Sequence, residues 1–499
     1  MVTAKSSVKG NHLVAHKHRI ADWDSEDAVA WRAGNRVIAR RNLIWSNVTA
    51  HVAFSIWYLW SVMVLFMPRS VYGFSTSDKL LLAVTATLVG AVVRIPYAMA
   101  TTRFGGRNWA VFSSVVLLIP TAGAIFLLAH PSLPLWPYLV CAALTGLGGG
   151  NYAASLANVE AFYPQRRKGF ALGLTGGISN LGSAGIQAVG LVVLATAGHE
   201  ATYWVCAVYL ALLAIAGLGA ALFMNNLTHV IEAGHVRSVL MVPDSWGIAL
   251  LYLCCSGSFL GFAFAFGQVL QNNFLACGQS HAQASLHAAE IAFVGPLLGS
   301  LTRVLGGKLG DRLGGGRVTL GALAAMIVAG GFLIAVSTHD DLTRADGPTG
   351  YTTIGYIVGF IALFIFCGMG KGSVFKLIPS IFEERGRALK VSDAERHRWE
   401  RVMSGALIGF AGTLGALGAM GINLVLRQSY LSAGTQTPAL WIFLVCYIGA
   451  ATLTWARYVR RQGEPRLIRT TAAPNCGGAS QDMPSSADGL EREKAATGF

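Results

Sequence analysis

Residues Gly146 to Gly185 read GLGGGNYAASLANVEAFYPQRRKGFALGLTGGISNLGSAG, and this stretch decides the fold. It contains two apolar runs that are longer than ordinary core helices, joined by the short basic turn at residues 164–168. Glycines recur at helical intervals in both runs, a pattern that lets two helices pack backbone against backbone within a membrane. The stretch therefore predicts two transmembrane helices linked by a tight basic turn.

Three asparagines interrupt these apolar runs: Asn151, Asn158 and Asn180. A carboxamide buried in hydrocarbon needs either a hydrogen-bond partner in the protein or a polar ligand. From the residues alone, packing between helices and substrate binding explain them equally well.

The composition indicates an integral membrane protein. Of 499 residues, 54% are apolar and only 12% are charged, whereas a soluble domain carries about 25% charged residues. The eight cysteines include no CxxC pair and no spacing typical of metal ligands, so neither a disulfide framework nor a metal site is expected, and no cofactor is predicted. The first 41 residues lack the apolar region of a cleavable signal peptide, and none is expected.

Twelve apolar runs are about 20 residues or longer, the length needed to cross a hydrocarbon layer of ~30 Å. We number them spans 1 to 12, at residues 43–67, 79–102, 108–129, 134–163, 169–198, 202–224, 245–272, 283–309, 317–337, 350–382, 401–427 and 436–459. The predicted fold is an all-α membrane protein of twelve transmembrane helices in two six-helix bundles.

The predicted organisation has five parts: an N-terminal tail, 1–41; an N-terminal bundle, 42–224; a linker, 225–244; a C-terminal bundle, 245–460; and a disordered tail, 461–499. Within the first tail we expect a short amphipathic helix that starts near residues 25–27 and ends at Arg40 and Arg41. The charged loop 383–400 is expected to be a solvated helix.

The basic residues predict the orientation. Thirty of the 38 lysines and arginines lie in the two tails, in the connections that leave even-numbered spans, or at the span ends beside them. The opposite set holds Arg69, Lys79, Arg344 and Arg427. By the positive-inside rule, both tails are cytoplasmic. The net charge of +14 is then explained by topology, and no nucleic-acid partner is expected.

Internal repeats relate the two halves. Arg94-(x8)-Arg103-Phe-Gly-Gly aligns without gaps on Arg303-(x8)-Arg312-Leu-Gly-Gly in spans 2 and 8. The glycines of span 5 align on those of span 11, with Gly176 opposite Gly412. GLGGG of span 4 aligns on GMGKG of span 10, which places Lys371 opposite Gly149. Parallel halves of this kind hold their substrate at the interface near the bilayer midplane.

Arg94 and Arg303 are the strongest candidate site residues. Each lies nine residues from an arginine at the end of its span, which places it ~14 Å deep, near the middle of the membrane. No aspartate or glutamate is expected at this depth, since Glu160, Glu290 and Asp311 lie nearer the span ends. Two uncompensated guanidinium groups that face each other need an anion, and their planar donors suit an oxyanion.

Polar and aromatic residues nearby fit a small flat anion. Asn180, Asn151 and glycine backbones are candidate donors, and the candidate walls are aromatic: Phe54, Tyr152, Phe262, Phe264 and Phe266. For the three phenylalanines of span 7, packing in the protein core or against lipid is the better explanation.

At these residues the sequence resembles the nitrate/nitrite porter family of the major facilitator superfamily. GGGNYAASLANVEAFYP with ALGLTGGISNLG resembles the first signature of that family, and GMGKGSVFKLIPSIF with GALIGFAGTLGALG resembles the second. GSFLGFAFAFGQVLQNNF resembles its span 7, and GGKLGDRLGGGR resembles the cytoplasmic loop motif of the superfamily, which includes Gly307, Asp311, Arg312 and Gly314. The resemblance covers residues 35–460.

The resemblance implies that Arg94 and Arg303 clamp the substrate, and that Asn180 and the Gly176 backbone contact it. It further implies that Phe54 and Tyr152 sandwich the anion. The sequence departs from the family pattern at four positions: Tyr152 replaces a common phenylalanine, Phe262 stands where a tyrosine can donate, and Lys371 and Lys376 replace a small residue and a glutamine.

The expected function is nitrate/nitrite antiport across the bacterial inner membrane by a monomer. An empty two-arginine site resists closing, because unpaired charge at mid-membrane is costly. The alternative is nitrate/proton symport, with Lys371 or Glu160 as the coupling residue, and a third possibility is a nitrate sensor that does not transport. A membrane redox enzyme needs pairs of histidines for haem, and only His51 lies well within a span.

Overall fold

The computed structural model describes residues 18–21, 23–198, 201–227, 235–343, 350–389 and 391–460. Helices occupy all twelve predicted spans. Their bounds are Ala28–Trp57 and Leu59–Phe66 (span 1), Thr76–Val92 and Arg94–Phe104 (span 2), Gly106–Ala129 (span 3), Leu135–Phe162 (span 4), Gln165–Ala197 (span 5), Tyr203–Phe223 (span 6), Pro243–Ala276 (span 7), His281–Ala292 and Val294–Leu313 (span 8), Gly315–Leu342 (span 9), Gly350–Gly386 (span 10), Asp393–Ala433 (span 11), and Thr437–Thr454 continued by the π-helical Trp455–Val459 (span 12).

Most of these helices qualify as membrane spans by length and apolar composition. Within the described residues ten helices qualify, or eleven when the bent pair of span 1 counts as one. Span 4 is not among them, since its glycines and asparagines reduce its apolar content over 28 residues. The prediction of a helical membrane protein is confirmed, while the count of twelve stays a prediction.

The N-terminal tail and the charged loop differ from expectation where the structure describes them. The helix that begins after Asp27 does not end at Arg41 but continues into span 1 through a kink at Gly34. Asp27 caps it, since its Oδ1 accepts hydrogen bonds from the amides of Val29 and Ala30 at 2.8 and 3.0 Å. In place of a separate loop helix at 383–400, spans 10 and 11 extend to Gly386 and from Asp393. The expected disorder of 461–499 falls outside the described residues.

A short parallel pairing joins the N-terminal tail to the linker. Strand β1, Arg19–Ile20, pairs with strand β2, Asn226–Leu227. Beside it, the ring of Trp23 packs edge-on against Phe162 at the end of span 4, with 5.1 Å between ring centroids. We refer to this end of the molecule, where span 1 begins and span 12 ends, as the tail side, and to the other end as the far side.

Two spans break close to a proline. In span 2 the break is at Val93, three residues before Pro96; in span 8 it is at Phe293, three residues before Pro296. A proline has no amide hydrogen to donate to the carbonyl four residues earlier, so the helix bends there. Span 1 bends by 45° at Tyr58, where Ser61 Oγ donates a hydrogen bond of 2.7 Å to the Tyr58 carbonyl.

Glycines bring helices into close contact within each half. A Cβ added at Gly149 of span 4 would lie 2.9 Å from Cα of Gly90 in span 2. In the C-terminal half, a Cβ added at Gly418 of span 11 would lie 2.9 Å from Cα of Gly257 in span 7. The packing function predicted from the glycine spacing therefore appears in both bundles.

The repeat is visible in the backbone where spans 2 and 8 end. Gly105 ends span 2 with φ +88° and ψ +144°, and Gly314 ends span 8 with φ +89° and ψ +133°. These two glycines are the aligned pair of the repeat, and a side chain is strained in this conformation.

The halves meet through spans that the repeat relates to each other. Span 2 packs on span 11, and span 8 packs on span 5. On the far side, the ends of spans 1 and 2 are bonded across the interface to spans 7 and 8: Gln271 and Ser285 donate to the Leu65 carbonyl, and Gln268 donates to the Thr76 carbonyl. The interface therefore places residues of spans 2, 5, 8 and 11 together in the middle of the molecule.

Candidate functional site

Arg94 and Arg303 lie at this interface, on spans 2 and 8, and both are buried. Their side chains are 4% and 9% exposed, respectively. The structure thus brings together the two arginines that the sequence predicts to share a site.

Arg94 is held by the opposite half. Its Nη1 donates a hydrogen bond of 2.6 Å to the Gly412 carbonyl of span 11. Its guanidinium carbon lies 5.0 Å from the ring centroid of Tyr152 and 5.3 Å from that of Trp57, within the range of cation–π attraction. Its Nε is buried without a hydrogen-bond partner, so a donor remains available.

Arg303 has the corresponding environment. Its Nη1 lies 3.4 Å from the Gly176 carbonyl of span 5, to which it donates, and its guanidinium carbon lies 5.2 Å from the centroid of the Phe375 ring. A Cβ added at Gly176 would lie 3.2 Å from Nη2 of Arg303 and 3.3 Å from the Tyr152 hydroxyl. Tyr152 therefore reaches both arginines, with its ring towards Arg94 and its hydroxyl towards Arg303.

The two arrangements obey the pseudo-twofold relation of the halves. Each arginine donates to a glycine carbonyl of the other half, and Gly176 and Gly412 are an aligned pair of the repeat. Among the ion pairs of the described residues, none involves Arg94 or Arg303. The site therefore combines two buried positive charges with carbonyl dipoles that only partly neutralise them.

Asn180 and Lys371 complete the polar part of the site. Lys371 of span 10 is 2% exposed, and its Nζ lies 3.5 Å from Oδ1 of Asn180. The same Nζ lies 4.1 Å from the centroid of the Phe259 ring. Asn180 is 2% exposed and its Nδ2 has no hydrogen-bond partner, so a second unused donor is present.

The other two asparagines hold helices together. Asn151 Nδ2 donates to the Thr49 carbonyl at 3.1 Å, and Asn158 Nδ2 donates to Ser46 Oγ at 2.9 Å. Both therefore bond span 4 to span 1. The sequence left packing and binding open for all three asparagines, and the structure assigns packing contacts to these two.

The predicted aromatic residues separate into two groups. Phe54, which is 1% exposed, lies 6.1 Å from Tyr152 between ring centroids, so these two accompany the arginines. Phe262 and Phe266 instead pack on Phe360 of span 10, at 5.4 and 5.2 Å between centroids. The described contacts therefore do not support them as ligands.

The helical repeat explains this difference within span 7. Residues two apart on a helix point in nearly opposite directions. Phe264 faces the N-terminal half and stacks on Tyr58 with 4.1 Å between centroids, so Phe262 and Phe266 face into the C-terminal half. Core packing, which the sequence analysis favoured for these rings, is what the structure has for Phe262 and Phe266.

Glu160 and the loop motif lie away from the arginines. Glu160 follows Tyr152 by eight residues in span 4, which is ~12 Å along a helix, and a Cβ added at Gly405 of span 11 would lie 3.2 Å from its Oε1. In the loop motif, Asp311 forms an ion pair with Lys376 at 2.5 Å. Both partners are about half exposed.

The remaining motif residues lie around this ion pair at the tail-side end of span 8. Gly307 is half-buried, Arg312 is exposed, and Gly314 adopts the positive φ that ends the helix. The motif thus stands at a helix end and not at the arginines.

Four residues at the site were not predicted to act there: Trp57, Tyr252, Phe375 and Gly412. Tyr252 of span 7 stacks on Phe375 at 4.6 Å, and Phe375 is the ring beside Arg303. Gly412 carries a signal in the sequence, because it is the repeat partner of Gly176. No pattern in the sequence distinguishes Trp57 or Tyr252 from other buried aromatic residues.

The assembled site suits a small anion. It offers two guanidinium groups, one unpartnered Arg94 Nε and one unpartnered Asn180 Nδ2, all within walls of aromatic rings. Donors of this kind, when partly desolvated, bind oxyanions strongly.

Comparison with known proteins places the chain in a family. A model of the Major Facilitator Superfamily matches residues 45–394. The nitrate/nitrite transporter NarU of Salmonella typhimurium is 31% identical over 473 residues, covering 90% of this chain and 97% of the relative. NarU of Escherichia coli is 30% identical, with 89% and 97% covered. The probable nitrate/nitrite antiporter NarK2 of Thermus thermophilus is 27% identical, with 89% and 97% covered.

Solved structures agree on the fold. A D-xylose–proton symporter aligns with a TM-score of 0.59 at 14% identity, over 83% of this chain and 97% of the other. The nucleoside transporter NupG aligns with a TM-score of 0.53 at 14% identity, over 83% and 98%. The predicted family is confirmed: the chain belongs to the nitrate/nitrite porter family of the major facilitator superfamily.

Proposed function

We propose that this protein transports nitrate and nitrite, exchanging one anion for the other by alternating access around Arg94 and Arg303. The observation that carries the proposal is the pair of buried guanidinium groups, each bonded to a glycine carbonyl of the opposite half and neither in an ion pair within the described residues. The names of the relatives supply the substrates, since they are nitrate/nitrite transporters.

The shape and charge of the donors support a small planar oxyanion. A guanidinium group presents its N–H donors in one plane and matches two oxygens of an anion at once. Rings of Trp57, Tyr152 and Phe375 lie against the two groups. When a monovalent anion lies between the two groups, charged N–H donors replace water at its edges and aromatic rings replace water at its faces.

Exchange follows from the cost of an empty site. Closing the two halves around unpaired charge at mid-membrane costs at least a few kcal/mol. A bound anion lowers that cost and favours the closed state over the open ones. The halves therefore reorient with an anion bound and rarely without one, which makes transport in one direction depend on transport in the other.

The orientation is part of the proposal. The distribution of lysine and arginine favours a cytoplasmic tail side, and the bacterial inner membrane is the proposed location. The far-side hydrogen bonds of Gln271, Gln268 and Ser285 then describe a molecule closed towards the outside. A single chain contains both arginines, so we propose that the monomer is the transporting unit, without a cofactor or enzymatic activity.

Nitrate/proton symport is the second candidate, and Lys371 is the observation that favours it. This buried amine contacts Asn180, so a titratable group lies at the site. Glu160 is a weaker choice for the coupling residue, because it lies ~12 Å along span 4 from Tyr152.

Counterflow in proteoliposomes separates these functions. We expect uptake of isotopically labelled nitrate only into vesicles loaded with nitrate or nitrite, at the same rate with and without a pH gradient. Uptake into anion-free vesicles driven by an alkaline interior would establish symport instead. Nitrate binding with no counterflow would indicate a sensor, and the absence of binding would remove the proposed substrate.

A further inference from the structure

We propose that Lys371 is a positioning residue: it orients the carboxamide of Asn180 so that its N–H donors face the bound anion. The inference rests on the proposed function, because it assigns a role within the same anion site.

The contact joins the two halves of the protein at a point where the repeat is broken. Lys371 is on span 10 and Asn180 is on span 5, with 3.5 Å between Nζ and Oδ1. Their repeat counterparts are Gly149 and Ala416, neither of which has a polar side chain. The lysine–asparagine pair is therefore an asymmetric addition to an otherwise symmetric pair of arginines.

The chemistry of the ammonium group determines which end of the amide it contacts. A lysine ammonium has three donors and no acceptor, so it bonds the carbonyl oxygen of Asn180 and repels the amide N–H group. On its other side, Nζ is held 4.1 Å from the centroid of the Phe259 ring. The carboxamide is thereby fixed with Oδ1 towards span 10 and Nδ2 directed elsewhere.

The freed donor lies on the face of span 5 that carries the rest of the site. Asn180 follows Gly176 by four residues, so both lie on the same side of the helix, and the Gly176 carbonyl accepts from Arg303. Nδ2 of Asn180 is buried without a partner, and an unmade hydrogen bond of this kind is costly. An anion held by Arg303 would supply the missing acceptor.

A double-mutant cycle distinguishes this indirect role from direct attraction of the anion by a third positive charge. The variants are Asn180→Ala, Lys371→Met and the double substitution, and the measurement is the nitrate dissociation constant of the purified protein by titration calorimetry. We expect Asn180→Ala to raise the constant about tenfold or more, and Lys371→Met about threefold to tenfold. If Lys371 acts through Asn180, the double variant equals Asn180→Ala within about twofold.

A further variant and a control complete the test. Lys371→Gln keeps an N–H donor without the charge and should bind nitrate more tightly than Lys371→Met. Lys376→Met, which changes the other lysine of span 10, should leave binding unchanged. Two results would overturn the positioning role while leaving the proposed function intact. One is a double variant whose dissociation constant rises by the product of the two single effects, and the other is nitrate binding by Lys371→Gln that is as weak as that by Lys371→Met. A wild-type protein that binds neither nitrate nor nitrite would overturn both.

Discussion

The two arginines have more donors than the protein uses. A guanidinium group has five N–H donors. Among the described residues, Arg94 donates one hydrogen bond to a carbonyl, and Arg303 donates one to a carbonyl and one to the Tyr152 side chain. The carbonyl bonds hold the side chains in place across the interface, and aromatic rings lie against both guanidinium groups. The N–H donors that remain on each guanidinium group are available to an anion. The proposed function therefore rests on these two residues.

Gly176 and Gly412, whose carbonyls accept hydrogen bonds from the arginines, should respond differently to substitution by alanine. In Gly176→Ala the new methyl group lies 3.2 Å from Arg303 Nη2, closer than ordinary contact, whereas in Gly412→Ala it lies 3.6 Å from Arg94 Nη1. We expect Gly176→Ala to raise the half-saturating nitrate concentration about threefold to tenfold, because Arg303 must move. Gly412→Ala should change it by less than about twofold.

Nitrate counterflow at varied external concentration measures both effects. Gly173→Ala serves as the control, since a Cβ there has no atom within 4 Å. Equal effects of the substitutions at 176 and 412 would contradict the arrangement described for Arg303.

At the residue scale, the sequence predicts the position of buried charged residues better than it predicts which aromatic side chains contact the site. The depth of Arg94 and Arg303 follows from helix geometry and the cost of burying charge, and the structure brings both to one interface. The role of Phe262 and Phe266 was not predictable in the same way, since an aromatic ring is stable in a core, against lipid or in a site. Trp57 and Tyr252 were missed for the same reason.

At the scale of elements, helix ends and breaks follow from local residues. Pro96 and Pro296 explain the breaks in spans 2 and 8, and Gly105 and Gly314 allow the sharp turns that follow these spans. The start of span 1 was predicted less well. Residues 28–41 include four arginines, which keep them out of a continuous apolar run, so the continuity of this helix with the membrane span is apparent only in the structure.

The two turn glycines differ in what surrounds them. Both have φ near +90°, where a side chain costs about 1–3 kcal/mol. A Cβ at Gly314 has no atom within 4 Å, whereas one at Gly105 would collide with the Asn226 side chain. Asn226 Oδ1 accepts from the Arg107 amide at 2.9 Å, so its displacement also removes a bond at the start of span 3.

We therefore expect Gly105→Ala to lower the melting temperature more than Gly314→Ala does, by several degrees. The measurement is thermal unfolding of the purified protein in detergent. Gly321→Ala, within span 9 and without neighbours, should be neutral or slightly stabilising. Equal melting temperatures for the substitutions at 105 and 314 would contradict the role given to Asn226.

At the scale of the whole molecule, the halves are closed on the far side by side-chain bonds to backbone carbonyls. Gln271 Nε2 donates to the Leu65 carbonyl at 2.9 Å and to Ser285 Oγ at 2.7 Å. Such bonds exchange readily with water, and each contributes about 1 kcal/mol. The closed state is therefore favoured by a small margin, as alternating access requires.

Gln271→Met should shift the protein towards the state that is open on the far side, because it removes the hydrogen bond from span 7 to the Leu65 carbonyl of the other half. Spin labels at Val71 and Ala282, exposed positions on opposite halves, report the separation by double electron–electron resonance. We expect the population at longer distance to grow about fivefold relative to the shorter one. Gln428→Met, at an exposed position of span 11, should leave the distribution unchanged, and an unchanged distribution for Gln271→Met would contradict this role.

The overall architecture was the feature that the sequence predicted best. Glycine spacing, the three aligned repeats and the arrangement of charge predict two related helical halves, and the fold is confirmed. The pairing of span 2 with span 11 and of span 5 with span 8 requires knowledge of how the halves face each other. Local sequence patterns do not contain that information, and it becomes available only from the assembled interface.

The central claim is that the forked donors of Arg94 and Arg303, and not positive charge alone, bind the transported anion. Nitrate/nitrite counterflow by the wild type, Arg94→Lys and Arg303→Lys tests it most directly, because lysine keeps the charge and loses the planar geometry. The account predicts that each substitution abolishes most of the counterflow in a protein that remains folded. Counterflow at the wild-type rate in either variant would contradict it.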